Sequence, residues 1–356
     1  MDTMTHITID CRMYGKNYGG IGRYVQEIIQ NLIQFNLFSL TILANDEAYL
    51  ELNNKESENL KIVKCSTKMF SLGEQLELFS KIPKCDIFWS PYINVPFLPV
   101  KAKKRVVTIH DVFHIVNPEY YSFFKRKLIS LYYFFSTKLS AKIITVSYFS
   151  KSEIGNNFGE NIENKTAVVY NGCDINVEGV SKKNAGIDYI LFVGSVKPHK
   201  NLKKALLAFD KLNNRSIKFI IVGKKEGFVT GDDSVFEIVE NINKSSPRVL
   251  FTGSINDEDL YGYYKGARML IMPSLYEGFG LPIIEAMKFG IPVACSDIEV
   301  FHEIGDDKLF YFDPNSEDDI KLGMEKALQK DRIDYNKNIL SWKNVTENII
   351  QILLKV

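Results

Sequence analysis

Glu277 and Glu285 bracket seven residues in the stretch EGFGLPIIE, and between them stand two glycines and a proline. Pro282 suits the first turn of a helix, where its missing N–H would go unpaired anyway. Gly278 and Gly280 let backbone approach a ligand closely. Amide N–H groups at a helix start attract an anion such as a phosphate. Carboxylates beside a phosphate make electrostatic sense only if they serve something else, and a carboxylate accepts well from the paired hydroxyls of a sugar. The stretch therefore reads as a cradle: amides for a diphosphate, one acid for a sugar about to move, the other for a ribose. The plain alternative is a helix start with two solvated acids, which the helix dipole also favours.

Lys200, in VGSVKPHKN (193–201), precedes a helical stretch where the dipole disfavours a cation. A bound anion would explain it, with Lys197 a weaker candidate of the same kind. YGGIGRY (18–24) places Gly19, Gly20, Gly22 and Arg23 at another helix start, a second contact point for phosphate or sugar or simply a tight turn. His110 and Asp111 follow the strand-like KRVVTI (104–109). A lone histidine is commonly structural, but the carboxyl end of a parallel strand is where ligands bind.

The elements that must position these residues alternate. HITIDCRM (6–13), FSLTILAN (38–45), NLKIVKC (59–65), CDIFWSPY (85–92), KRVVTIHDV (104–112), AKIITVS (141–147) and KTAVVYNGCD (165–174) read as strands, and residues 118–140 as helix. NVEGVSKKNAGID (176–188) reads as a linker. The pattern restarts with strands YILFVGS, IKFIIVG, RVLFTGS, RMLIMPS and IPVACSD, and helices at 201–212, 257–267, 281–290 and 316–330. This predicts an α/β protein of two tandem Rossmann-like, doubly wound domains. We place them at 1–178 and 179–339, with a helix at about 340–356 returning to the first, and expect the site in the cleft between them. In the second domain, VGSVKPHKN, IIVGKK (220–225), FTGSINDEDL (251–260) and MPSLYEGFG (272–280) end strands at one edge. GxGxxG and the P-loop pattern are both missing, which argues against a nicotinamide dehydrogenase and a P-loop nucleotidase.

The chain's 356 residues fit two cores. The net charge of +1 gives no reason to expect a nucleic-acid partner. Between Lys81 and Lys151, however, twelve basic residues face three acidic ones, with clusters at KAKKR (101–105) and FFKRK (123–127). The segment is either a solvated face or a contact for anionic lipid or a phosphate-bearing acceptor. Five dispersed cysteines without CxxC fit a reducing compartment. The N-terminus does not read as a signal peptide and no apolar run is long enough to span a bilayer, so a cytoplasmic protein, peripheral to a membrane at most, is expected.

Together these stretches resemble the retaining GT-B glycosyltransferases of the large E-x7-E family, glycosyl transferases group 1, and within it the mannosyltransferase-like subgroup. PSLYEGFGLPIIEAM carries the motif, VGSVKPHKN looks like the phosphate segment, VVYNGCD the interdomain turn and GGIGRY the N-terminal glycine loop. TIHDV, NPEY and TVSYFSKSEI are similar to the mannosyltransferase subgroup. The resemblance implies that Glu277 contacts the donor sugar, Glu285 the ribose and Lys200 the diphosphate. The amides of Gly278, Phe279, Gly280 and Leu281 would cradle sugar and phosphate, and His110 would sit near the anomeric carbon. Gly20, Ser195 and Gly253 join the donor side, the last in the loop that holds the base. Gly19, Arg23, Tyr24 and Asp111 are acceptor-side candidates. Many members carry an arginine where this chain has Ser195, which shifts phosphate charge onto Lys200. No cofactor or metal is implied; Asp257–Asp259 spells D-x-D but opens a helix. The expected reaction moves a sugar, mannose from GDP-mannose by preference or one from a UDP- or dTDP-sugar, to a lipid-linked or polysaccharide acceptor in bacterial surface-glycan synthesis. Two competing readings are a hydrolase or epimerase on the same fold and a non-catalytic nucleotide-sugar-binding or scaffold protein.

Overall fold

The computed structural model describes residues 4–184, 186–223, 234–305 and 307–356. The end of the IIVGKK segment, Lys224 and Lys225, lies outside them. The chain forms two compact units, one of residues 1–172 with 340–356, the other of 173–339.

Unit 1 carries seven parallel strands: β1 (His6–Cys11), β2 (Ser39–Ala44), β3 (Leu60–Lys64), β4 (Cys85–Ser90), β5 (Ala102–Thr108), β6 (Lys142–Thr145) and β7 (Thr166–Val168). Its helices are α1 (Gly19–Phe35), α2 (Asp46–Leu52), α3 (Leu72–Lys81), α4 (Phe113–Val116), α5 (Phe123–Leu139), α6 (Tyr148–Phe158) and α7 (Glu160–Asn164). The spatial order β3-β2-β1-β4-β5-β6-β7 reverses direction between β1 and β4. Right-handed crossovers then place α1 and α2 on one face of the sheet and α3 and α5 on the other.

Unit 2 has six parallel strands, β8 (Tyr189–Val193), β9 (Lys218–Val222), β10 (Val249–Gly253), β11 (Met269–Met272), β12 (Val293–Ser296) and β13 (Phe310–Phe312), in the order β10-β9-β8-β11-β12-β13. Its helices are α8 (Leu202–Asp210), α9 (Ser234–Asn243), α10 (Asp257–Gly266), α11 (Leu281–Lys288), α12 (Glu299–Ile304) and α13 (Glu317–Leu328). Strands buried on both faces explain the near-continuous apolar runs YILFV and MLIM. The last helix, α14 (Trp342–Leu353), belongs to unit 1, where Trp342 is fully buried and packs edge-on at 6.1 Å from Tyr24 of α1. Gly172 lies so close to this return that a Cβ there would sit 2.7 Å from the Trp342 amide. The outgoing and returning chain therefore leave unit 1 side by side.

Within the segment expected as a linker, residues 177–183 form a strap on α10. Lys183 N–H donates to the Gly262 carbonyl at 3.0 Å, Lys183 pairs with Asp259 at 2.5 Å, and Lys265 Nζ donates to the Val177 carbonyl at 2.8 Å. Added Cβ atoms at Gly262 and Gly266 would meet strap carbonyls at 2.8 and 2.5 Å, so the two glycines of YGYYKG make room for it. Among the described residues, no helix is long and apolar enough to cross a membrane.

Candidate functional site

In unit 2 the strand order turns between β8 and β11, and the loops leaving these neighbours meet. Leu275 N–H donates to the His199 carbonyl at 2.8 Å, joining the segment after β11 to the turn before α8. The join brings Lys200 Nζ to 2.5 Å from Glu277 Oε1, an oxygen that also accepts from the Ser274 hydroxyl at 2.8 Å. The two charged side chains are only 19% and 12% exposed. Lys200 is held at the end of a short turn, Pro198–Lys200, by Asn201, whose left-handed backbone (φ 53°) breaks the turn from α8 and whose amide donates to the Pro314 carbonyl at 2.8 Å. The lysine reserved for phosphate and the glutamate reserved for sugar thus face each other directly, a pairing that sequence spacing does not show.

Gly280 caps α11 in a left-handed conformation (φ 116°). A Cβ there would lie 3.0 Å from both Ile304 and Phe301 of α12, so glycine is required twice over. Pro282 offers no N–H, and Ile283 N–H already donates to the Gly280 carbonyl at 3.0 Å. The helix mouth therefore offers fewer amides than its sequence suggests, which concentrates any anion contact on Gly280 and Leu281. Gly278 belongs to the same loop and Phe279 is buried within it.

Glu285, on the second turn of α11, is buried, so the picture of two solvated acids does not hold. The Tyr264 hydroxyl, from α10, donates to Glu285 Oε2 at 2.7 Å, and the Tyr264 ring stacks on Phe289. An ionised carboxylate at such depth needs donors of this kind. Ser195 stands in the turn after β8, where its carbonyl accepts from the Lys197 amide. Gly253 ends the edge strand β10, two strands from β8; its carbonyl accepts from the Gly223 amide at 3.2 Å, away from the Lys200–Glu277 pair. Asp257–Asp259 open α10, with the Asp259 amide donating to the Asn256 side chain. Among the described residues, no group of three or more His, Cys, Asp or Glu side chains is placed to hold a metal ion.

In unit 1, His110 lies two residues past β5 and is 9% exposed. Its Nε2 is 2.9 Å from the Pro91 carbonyl. A carbonyl can only accept, so Nε2 carries the proton and Nδ1 holds the lone pair. Burial pushes the imidazole below its ordinary value, against the pull of the Pro91 carbonyl, which keeps the ring neutral. The His110 carbonyl accepts from Ser150 of α6 at 3.0 Å, fixing the backbone beneath the ring. Asp111 serves its own turn: its carboxylate accepts from the Phe113 amide at 2.9 Å and its carbonyl from the Tyr133 hydroxyl at 2.9 Å.

The glycine segment opens a helix, as expected: Gly19 and Gly20 are the first residues of α1, and the turn lies upstream at Gly15–Tyr18. A Cβ on Gly22 would sit 1.9 Å from the Gly15 carbonyl, so that glycine serves helix–turn contact. Arg23 is half-buried on α1. Tyr24 is a core side chain, 1% exposed and edge-on to His110 at 4.8 Å, and so supports that ring from behind.

One constellation has no counterpart in the sequence reading. At the turning point between β1 and β4, Arg12 donates twice to Asp10, at 2.7 and 2.6 Å, and pairs with Glu74 of α3 at 2.7 Å. All three side chains are buried, and Asn94 also donates to Glu74. Burial pushes the Glu74 carboxyl up, while Arg12 and the Asn94 amide oppose it. The only signal in the sequence was an acid and a base flanking Cys11 at a strand end. Tyr264 and Ser274, which hold the two glutamates, had none.

Known families cover both units. The model described as Glycosyltransferase Family 4 matches residues 18–177, and that described as Glycosyl transferases group 1 matches 176–341. The O-antigen chain mannosyltransferase B of Escherichia coli is 30% identical over 247 residues, 66% of this chain and 64% of that protein. The O-antigen chain mannosyltransferase RfbU of Salmonella typhimurium is 32% identical over 255 residues, 70% of this chain and 67% of that protein. The matched region thus spans about two thirds of either relative. Among solved structures, Anabaena HepE in complex with UDP-glucose superposes with a TM-score of 0.74 at 16% identity, covering 99% of this chain and 100% of that one, a likeness of fold. With a family model on each unit and a relative matched over two thirds of its length, the chain belongs to the glycosyl transferases group 1, glycosyltransferases of the GT-B fold.

Proposed function

We propose that the protein transfers a hexose, mannose from GDP-mannose by preference, onto a lipid-linked or polysaccharide acceptor in O-antigen-like surface-glycan assembly, with retention at the anomeric carbon. The observation that carries the transfer chemistry is the Lys200–Glu277–Ser274 cluster beside the glycine-capped start of α11, at the strand-order turn of unit 2. The preference for mannose is supported by the names of the two O-antigen relatives.

Lys200 and the Gly280 and Leu281 amides neutralise the diphosphate as it leaves, taking the part a metal would otherwise take. Glu277 then turns its freed oxygen to the sugar hydroxyls, and Glu285, held by Tyr264, serves the ribose. The bond from the anomeric carbon to the phosphate oxygen breaks as the bond to the acceptor oxygen forms on the same face. The acceptor's proton passes to the leaving diphosphate, so no side-chain nucleophile is needed. His110 accepts from a sugar hydroxyl at Nδ1, a role its neutral, Nε2-protonated form suits.

Thermal unfolding with GDP, UDP, ADP and dTDP tests the reading. A ligand at a hundred times its Kd stabilises by about 2.7 kcal/mol. GDP is expected to give the largest shift, and a larger one from UDP or dTDP would reassign the donor. No shift from any of the four at millimolar concentration would sink the nucleotide-sugar reading.

A further inference from the structure

The basic stretch between Lys81 and Lys151 is not one surface. KAKKR opens β5, whereas FFKRK opens α5, which runs back from the carboxyl end of the sheet, so the two clusters lie at opposite ends of it. Part of the charge is used internally: Arg105 donates to the Pro96 and Leu98 carbonyls, and Lys103 pairs with Asp86 at 2.6 Å. The cations of α5 are different. Lys125, Arg126, Lys127 and Lys138 are all exposed, and α5 contains no acidic residue.

Apolar side chains accompany them. Phe124 is 84% exposed, and Leu128 and Leu131 follow one and two turns later, also open to solvent. On α3, Leu72 is 89% exposed, with Leu76 and Phe79 next on the same helical row. Of the charged and amide side chains of that helix, Glu74 and Gln75 point inward, and Glu77 is held by the Ser66 and Thr67 amides and by Lys81 at 2.9 Å, so the exposed row Leu72, Leu76 and Phe79 is itself apolar. The two helices share one face of the sheet, and Phe70 joins them, partly exposed and edge-on to Tyr132 of α5 at 5.0 Å. Lys125 and Lys127 lie over the Tyr121 and Phe123 rings at 4.8 and 5.6 Å, which sets the cations beside the apolar row.

We propose that this face of unit 1 docks on an anionic lipid bilayer, with Phe124, Leu128 and Leu131 of α5 and Leu72, Leu76 and Phe79 of α3 entering the headgroup boundary. Apolar rows of this size, left in water, mark an interaction site. Aromatic and aliphatic side chains beside the Lys and Arg of α5, a helix without acids, match the interface of a bilayer whose phosphates are negative. A second copy of the chain fits poorly, because a two-fold contact sets the same patch against itself and would oppose the cations of α5. The inference rests on the proposed function only in that a lipid-linked acceptor would lie in the same bilayer.

Phe124→Trp supplies the test, because both native tryptophans, Trp89 and Trp342, are fully buried. With vesicles of phosphatidylglycerol and phosphatidylcholine, the emission of the full-length variant should move to the blue and be quenched by brominated lipid. Adding Lys125→Gln and Lys127→Gln should lower the partition coefficient about thirtyfold at low salt, ~5-fold for each cation at an anionic surface. No blue shift with these vesicles, or equal partition into phosphatidylcholine alone, would overturn the proposal. So would a blue shift without lipid that grows with protein concentration, which would assign the face to a second copy. Nucleoside diphosphate binding, measured on the same lysine variant, should be unchanged. Its failure in the wild type alongside intact vesicle binding would sink the donor reading and leave this one standing.

Discussion

Replacing Glu277 by glutamine should tighten the binding of a bare nucleoside diphosphate while depressing sugar transfer. In the free protein Lys200 Nζ lies 2.5 Å from Glu277 Oε1, and neither side chain is more than a fifth exposed. At an effective dielectric of about 20, unit charges at that separation attract by ~6–7 kcal/mol. Desolvation of both groups offsets most of this, leaving a net coupling of about 1.5 kcal/mol, between the values for exposed and fully buried pairs. A diphosphate arriving at the helix mouth must draw Lys200 away from the carboxylate and sit near its negative charge. In Glu277→Gln both penalties go, so the diphosphate affinity should rise about tenfold, the equivalent of ~1.4 kcal/mol. The same variant loses a charged acceptor for the sugar hydroxyls, so turnover should fall by about ten- to a hundredfold. Lys200→Met should weaken the diphosphate by a comparable factor, and the double variant should fall between the two. Calorimetric titration with the most stabilising diphosphate, beside a transfer assay with its sugar conjugate, reads both effects. Weaker diphosphate binding in Glu277→Gln would refute the competition between carboxylate and phosphate for Lys200.

Three further outcomes follow from single contacts. Tyr264→Phe removes a donor from the buried Glu285 carboxylate, at about 1.5–3 kcal/mol for a bond to a charged group; the melting temperature should drop by roughly 4–10 °C, with weaker nucleotide binding, and an unchanged melting curve would remove Tyr264 from the site's support. Gly280→Ala puts a Cβ on a backbone at φ 116° and within 3.0 Å of Ile304 and Phe301, so the urea midpoint should fall by the equivalent of about 1–3 kcal/mol, and an unshifted midpoint would contradict the strain. Burial holds His110 below the ordinary imidazole range; below about pH 6.5 the unfolded chain takes up a proton that the fold refuses, so stability should decline on acidification through that range and decline less in His110→Gln. Urea midpoints at several pH values would show it, and parallel slopes for the two proteins would refute it.

Strand and helix alternation, and the restart at YILFVGS, were open to reading because a parallel sheet covered on both faces needs unbroken apolar strands. The E-x7-E stretch was readable for a similar reason, since a proline inside a helix start and a glycine before it leave few conformations. What stayed hidden depends on which side chain faces which. Tyr261, Tyr263 and Tyr264 crowd one short helix, and only the packing of α10 on α11 selects Tyr264 for Glu285. The strap looked like a linker because the groups that fasten it, the Gly262 carbonyl, Asp259 and Lys265, and the glycines that make room for it are all far along the chain. The basic segment looked continuous because sequence proximity cannot show that β5 carries the chain from one end of the sheet to the other before α5 begins.

The two units have the same kind of strand-order reversal but arrange charge there differently, and that difference bears on where ligands can act. In unit 1 the place is filled: the Arg12 guanidinium binds Asp10 twice and Glu74 once, and all three side chains are removed from solvent. Opening such a triad would strand a buried charge, a loss of several kcal/mol with no compensating partner. It therefore acts as a fixed strut between β1 and α3. In unit 2 the corresponding pair, Lys200 and Glu277, keeps some exposure at both side chains and has one hydroxyl partner in Ser274. A competing anion can exchange for Glu277 there without leaving either charge dry. Past the end of β5, His110 has its Nε2 committed to the Pro91 carbonyl, which leaves the ring's lone pair on Nδ1. Charge that can be exchanged for an incoming anion thus sits in unit 2, at Lys200 and Glu277, whereas the buried triad of unit 1 is committed to holding its own fold.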